Sequence, residues 1–378
     1  MTTRSGLGSE QGVSRRQVLK TGLATAAVAA IGGSSTAFTQ SQPPPVVSPD
    51  GPVIDIHAHY FPEAYLDLVA GEGKRFDASY QMTDKGFFIK TPAGNNGPLP
   101  AKFIDLKARI ADMDQQGVAV QAISLTAPML YWGDAEFSTK LARAWNDAAA
   151  VAHQAYPTRL VGFLTLPMLY PERALDELNR ASKLPGMRGV YLGTNLGGHE
   201  LDDPLFEPTI ARIEALDLPI FLHPVEPIGA GDRLKAFFLS NLIGNPVDTA
   251  IAACHLIFGG VLDRHPKLQI SLPHAGGVLP ILIGRIDQGW RTRPDLKNLL
   301  AAAPSTYLAR FTYDTITHSK AIMEFVIQQV GAERIMLGSD YCFTMGYDRP
   351  VQFLEPVNLA SAQRKMILGG NAARLLKL

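Results

Sequence analysis

The chain has 378 residues, 46% of them hydrophobic and 19% charged, which excludes global disorder and supplies a large buried core. Lys plus Arg and Asp plus Glu each total 35, so net charge favours neither nucleic acid nor an anionic membrane as a partner. The two cysteines, Cys254 and Cys342, cannot build a disulfide framework.

The N-terminus reads as an address. Residues 14–20 run Ser-Arg-Arg-Gln-Val-Leu-Lys, and a stretch of mostly Ala, Val, Leu and Gly follows from Thr21 to Ile31. Small residues, Ser35-Thr36-Ala37, come next and suit a signal peptidase. The apolar stretch is too short and too rich in alanine for a comfortable membrane span. An arginine pair before such a region resembles a twin-arginine export signal, with an ordinary secretory signal or an uncleaved extension as the alternatives. The expectation is a signal peptide over residues 1–37, read by the twin-arginine export machinery, and a periplasmic mature protein. Residues 38–52, with Pro43 to Pro45, read as a flexible linker, so the folded domain spans 53–378.

From residue 53 onward, short apolar runs alternate with longer helical patterns. Strands are expected at 53–57, 118–125, 160–166, 187–192, 219–223, 268–273, 310–314 and 334–338. Their nearly continuous apolar character suits strands buried on both faces of a parallel sheet. Helices are expected over 102–116, where Ile104, Ile110 and Met113 share a side, over the Ala-rich 135–155, and over 172–183. Eight such units predict an α/β fold, a (β/α)₈ TIM barrel. An open doubly wound sheet is the alternative, although no GxGxxG follows the first strand. Two segments look inserted on the C-terminal side of their strands: 71–101, a candidate flap, and 224–247, with Gly229-Ala230-Gly231 and Phe237-Phe238-Leu239.

The chemistry gathers at the strand ends. His57 and His59 close strand one, and residues two apart on a strand point the same way, so both imidazoles reach one metal ion. His223 ends strand five, His274 strand six and Asp340 strand eight. In a barrel all these ends converge on one mouth, the face where active sites form. Each signal alone has an ordinary reading, such as a capping histidine or a Gly-Ser-Asp turn. Their joint placement on four strand ends of the same polarity favours a site. Three histidines and an aspartate suit a divalent metal such as zinc. His153, His199, His255, His265 and His318 read as surface or packing residues, and Cys342 as a wall residue near the site.

Here the sequence resembles a family. Val53-Ile-Asp-Ile-His-Ala-His-Tyr-Phe-Pro62 looks like the opening of the amidohydrolase-related family, in its aminocarboxymuconate-semialdehyde decarboxylase-like branch. Met113-Asp-Gln-Gln-Gly-Val118, Phe221-Leu-His-Pro224, His274-Ala-Gly-Gly277, Gly284-Arg-Ile286 and Leu337-Gly-Ser-Asp-Tyr341 match that branch in order. The resemblance implies a barrel of the metal-dependent hydrolase type with one catalytic zinc, held by His57, His59, His223 and Asp340, and His274 as the acid–base residue. It makes Arg285 a contact for the substrate carboxylate, delivered into a neighbouring subunit's site, and so implies a homodimer. Binuclear relatives carry a bridging lysine at the end of strand four. Here that strand reads Met187-Arg-Gly-Val-Tyr-Leu-Gly193, so one metal is expected.

Departures from the family pattern bear on the substrate. Its carboxylate-binding arginine after strand one gives way to Gly86-Phe-Phe-Ile-Lys90, where Lys90 is the candidate to substitute without the bidentate fork. Its tryptophan in the strand-five loop becomes Asn241, and the proline after Asp-Tyr becomes Cys342. Phe343 and Tyr341 are placed to line a slot for a flat acid. The expected function is a metal-dependent decarboxylase of a small unsaturated or aromatic carboxylic acid. The alternatives are a hydrolase of a lactone, ester or amide on the same scaffold, and a non-catalytic binder.

Overall fold

The computed structural model describes residues 51–378 together with the backbone of the short strand Val47–Ser48. The expected signal peptide lies outside the described residues. Within the expected linker, Val47–Ser48 pairs with Gly51–Pro52 as a small antiparallel hairpin.

Eight parallel strands form the sheet: β1 (Ile54–His59), β2 (Val120–Ser124), β3 (Leu160–Leu164), β4 (Met187–Gly193), β5 (Ile220–His223), β6 (Ile270–Leu272), β7 (Phe311–Asp314) and β8 (Ile335–Met336). Each neighbours the next in chain order, the winding of a barrel. All eight expected strands are present. Every residue of β1, β3, β5 and β6 is buried, as the continuous apolar runs require.

Closure differs from expectation. The last strand stops at Met336, and the chain beyond it zips the barrel shut: Ile56 N–H donates to Leu337 O (3.0 Å), Asp340 N–H to His57 O (2.8 Å) and His59 N–H to Tyr341 O (2.7 Å). Asp340 therefore follows β8 by four residues, with a left-handed φ of 59°. His274 likewise sits two residues past β6, at φ 52°.

Inside the barrel, Phe163 and Phe221 stack at 4.1 Å, and Tyr191 lies parallel to Phe163 at 6.2 Å. Tyr191 in turn meets His59 (6.1 Å) and His223 (5.9 Å). The aromatic layers thus form a dry floor beneath the histidines. Outside, helix Ala135–Ala155 buries Phe137, Leu141, Trp145 and Ala149, four positions at i+4 spacing. Asp134 caps it by accepting Phe137 N–H (2.8 Å). Asp105 caps helix Leu106–Gln116 in the same way through Ala108 N–H (3.0 Å). The expected helix over 102–116 thus begins later, after a 3₁₀ turn at Ala101–Phe103. Among the described residues no helix is long and apolar enough to cross a membrane.

The two insertions differ. Residues 79–99 fold as a three-stranded antiparallel flap, Ser79–Thr83, Gly86–Thr91 and Gly94–Leu99. The segment after β5 makes turns and enters helix Asn245–Phe258 through the helical turn Ser240–Gly244. Phe237 and Phe238 in that segment are 88% and 56% exposed.

Candidate metal centre

His57 and His59 leave β1 on the same side, His223 ends β5, and Asp340 arrives from the closing segment. One ligating atom from each of the four buried residues lies within 4.8 Å of the others. Ring centroids are 5.0 Å apart for His57–His59, 5.3 Å for His57–His223 and 4.8 Å for His59–His223.

The outer partners decide which nitrogen faces inward. His57 Nδ1–H donates to Asp314 Oδ2 (2.7 Å) and His223 Nδ1–H to Pro224 O (3.0 Å). His59 Nδ1–H donates to Ser124 Oγ (3.1 Å), whose own hydrogen goes to Ala58 O (3.0 Å). A donor role at Nδ1 leaves a lone pair on each Nε2. His57 Nε2 is buried without a hydrogen-bond partner. His59 Nε2 stands 2.9 Å, and His57 Nε2 3.5 Å, from Asp340 Oδ1. Four electron-pair donors thus face one another in a dry place, an arrangement that repels itself without a cation. Three nitrogens and one oxygen fit a divalent transition metal.

Local electrostatics agree. Burial, then the neighbouring imidazoles, push His59 down to about 4 and His223 well below the usual histidine range, so both favour the neutral form near neutral pH. Burial also lowers His57, but the Asp314 hydrogen bond and the nearby carboxylates outweigh it and raise the group. Asp340 is raised by burial, yet the positive field of the surrounding imidazoles holds it below the carboxylate range.

Residues that sequence reasoning missed hold this constellation in place. Asp314 ends β7. Its Oδ2 accepts His57 Nδ1–H and His274 N–H (2.9 Å), and its Oδ1 accepts Ala275 N–H (2.8 Å) and Ile316 N–H (3.0 Å). Asp55 accepts from Gln121 Nε2 (2.8 Å), Ser339 Oγ (2.5 Å), Ser339 N–H and His57 N–H, tying β1 to β2 and to the closing segment. Arg109 is fully buried, donates to His59 O and to Gln121 Oε1, and lies 4.6 Å over the Tyr341 ring. The available signals were an aspartate at the end of an apolar strand, Asp314, and a charged residue inside one, Asp55.

His274 joins the ligands, its ring 5.4 Å from His57 and 5.7 Å from His223. Its Nδ1 is buried without a partner, and burial lowers its pKa. The tight turn that carries it ends at Gly277 (φ 60°), where a Cβ would overlap the Pro246 carbonyl oxygen. His274 and Asp340 open onto a cavity of about 870 Å³, counting space open to solvent. Its wall is mainly apolar, with Leu242, Ile281, Ile316 and Ile322, and its amides come from Asn241 and Asn245. Among the described residues, no Lys or Arg lines it.

The other expected contacts lie elsewhere. Phe343 packs edge-on to His59 (5.3 Å) and to Phe103 (4.9 Å), but it lines a separate outer groove with Tyr341 and Cys342. The Tyr341 hydroxyl donates to Asp112 (2.9 Å). Lys90 is not brought to the ligands. It alternates with the buried Phe87, Ile89 and Thr91 of the flap, faces outward and pairs with Asp77 at 2.7 Å. Arg285 is exposed on helix Leu279–Thr292 and lines a groove of about 930 Å³ with Cys254, Phe258, Leu282 and Ile286. Cys342 is not among the converging ligands, and burial pushes its thiol up to about 12. His318, expected to be a surface or packing residue, is exposed and packs on Tyr347, and it also lines the cavity of His274 and Asp340.

Comparison with known proteins adds the final observations. The family model described as Amidohydrolase matches residues 54–378, and the model of a twin-arginine translocation pathway signal sequence matches residues 12–32. The chain is 31% identical to 2-amino-3-carboxymuconate-6-semialdehyde decarboxylase of Dictyostelium discoideum, over 86% of this chain and 91% of that protein. The crystal structure of 5-carboxyvanillate decarboxylase from Sphingomonas paucimobilis is similar with a TM-score of 0.75 at 28% identity, covering 86% of this chain and 99% of that one. A dihydroxybenzoic acid decarboxylase from Polaromonas sp., solved with bound manganese and the inhibitor 2-nitroresorcinol, is similar with a TM-score of 0.72 at 27% identity, covering 86% and 97%.

Proposed function

The chain belongs to the amidohydrolase family, and on that premise we propose that it is a metal-dependent decarboxylase of a small unsaturated or aromatic carboxylic acid. The observation that carries this reading is the meeting of four electron-pair donors with a buried, unpartnered His274 nitrogen at the floor of a largely apolar cavity.

His57, His59, His223 and Asp340 would hold one divalent ion, which when bound supplies Lewis acidity toward an oxygen of the acid. Zinc is the expectation from the donor set, and the manganese of the Polaromonas relative makes that ion the competing result of a metal analysis. The aromatic floor of Tyr191, Phe163 and Phe221 excludes water from below. His274, kept neutral-leaning by burial, takes up a proton at Nδ1 and gives it to the carbon that bears the carboxylate. A C–H bond forms there. The carbon–carbon bond breaks, its electron pair restores the unsaturation, and carbon dioxide leaves. No organic cofactor is required.

We further propose a homodimer in which Arg285 reaches the partner's cavity. Two observations support it: the cavity has no cationic side chain of its own among the described residues, and Arg285 sits exposed beside an apolar groove. The twin-arginine match supports export of the folded enzyme and a periplasmic site of action.

The test is carbon dioxide release from a panel of hydroxybenzoic and dienoic acids by metal-loaded protein. Turnover should fall by about 10²–10⁴-fold in His274→Ala while metal content stays that of the parent. Lactone or ester opening without carbon dioxide would replace this reading with the hydrolase one.

A further inference from the structure

We propose that His318 is a substrate-binding residue, which hydrogen-bonds a second oxygen function of the acid at the cavity rim, away from the end held at the metal centre. The reaction in this inference rests on the decarboxylase reading; the residue rests on geometry.

His318 lies in the loop after β7, four residues beyond Asp314. Its backbone is left-handed (φ 54°), a conformation that non-glycine residues adopt mostly where the surroundings impose it. The surroundings here are Tyr347. The Tyr347 hydroxyl accepts His318 N–H (2.7 Å) and Thr317 N–H (3.3 Å). Tyr347 is itself fixed, its N–H donating to Ser339 O (2.7 Å) and its ring stacked on Phe353 at 4.6 Å. The loops after β7 and β8 are thereby locked together, and the imidazole leans on the Tyr347 ring with centroids 4.9 Å apart.

The ring nitrogens, by contrast, have no hydrogen-bond or ion-pair partner among the described residues. The residue lines the same cavity as His274 and Asp340, yet it is exposed at the opening. A side chain held by its backbone and left free at its polar atoms is arranged to meet a ligand. The other polar groups on that wall outside the metal centre are Asn241, Asn245 and Thr317. His318 adds a ring that donates at one nitrogen and accepts at the other, a rim contact for a hydroxyl, aldehyde or second carboxylate. The substrate class this selects is an acid with an additional oxygen substituent remote from the carboxylate that is lost.

The experiment pairs 2-hydroxybenzoate with 2,4-dihydroxybenzoate on metal-loaded enzyme, reading both turnover and binding by calorimetry. His318→Ala should raise KM and Kd for the dihydroxy acid about tenfold, leave those for the monohydroxy acid unmoved, and keep kcat within about twofold. His318→Asn should restore part of the preference, and Tyr347→Phe should weaken it less than His318→Ala does. Metal content equal to the parent's confirms that the variants fold. A parent that binds both acids equally, or a His318→Ala variant that keeps the parent's preference, overturns the proposal. A parent that binds the dihydroxy acid tighter but releases no carbon dioxide overturns the decarboxylase reading, and the binding comparison still decides the role of His318.

Discussion

Two sides of the barrel mouth are built on opposite terms. On the side of β1, β7 and the closing segment, charged and polar groups are buried and paired: Asp55 with four donors, Asp314 with four, Arg109 with a carbonyl, an amide and an aromatic face. On the side of the segment after β5 and helix Leu279–Thr292, large apolar side chains stand in solvent, Phe237, Phe238, Leu242, Ile243 and Ile281 among them. Burying a side chain of that size stabilises by about 1.5–3 kcal/mol, so a cluster left exposed marks surface for something else to cover. The difference teaches that the four converging His and Asp side chains come from one chain, while the apolar rim beside the cavity is left uncovered within it.

Four measurements press on that contrast. The largest effect belongs to Asp340→Ala, which removes one of the four donors: metal content of the purified protein should collapse and carbon dioxide release with it. Retention of a full equivalent of metal would break the claim that this side is self-contained. Asp314→Asn should act at one remove. It keeps the shape but weakens the acceptor for His57 Nδ1–H, and metal affinity should fall about 10–100-fold by competition with a chelator. The smallest effect is expected on the other side. Phe237→Ser with Phe238→Ser should leave metal content unchanged and weaken self-association about tenfold or more in sedimentation. Arg285→Ala should raise KM without releasing metal. Full activity of Arg285→Ala would sink the shared site, and metal loss in the double serine variant would show that the two sides are not independent.

The sequence made one side far more legible than the other. His57, His59 and His223 were readable because they end apolar strands, and a strand end in a barrel has one destination. The eight strands were readable for the same reason, since parallel strands buried on both faces leave long apolar runs. Asp314 was hidden because its role depends on β1 lying across from β7, a relation fixed only by closure. Lys90 was misplaced because the side of the flap it occupies follows from the register of a three-stranded sheet, and a shift of one residue exchanges the faces. His318 was passed over because a left-handed loop residue has no sequence periodicity. Its backbone is held by Tyr347, 29 residues away, a contact that no local pattern announces.

The ligand set also has an order in time. His59 and Asp340 are separated by 281 positions, the first strand and the last segment of the barrel. During synthesis the early histidines must wait for almost the whole chain before their carboxylate partner emerges. A truncated or stalled polypeptide carries most of the donors and none of the closure. An ion seated among all four would join the first strand of the barrel to its closing segment, so metal capture would report that the chain has been made at least as far as Asp340 and the barrel closed.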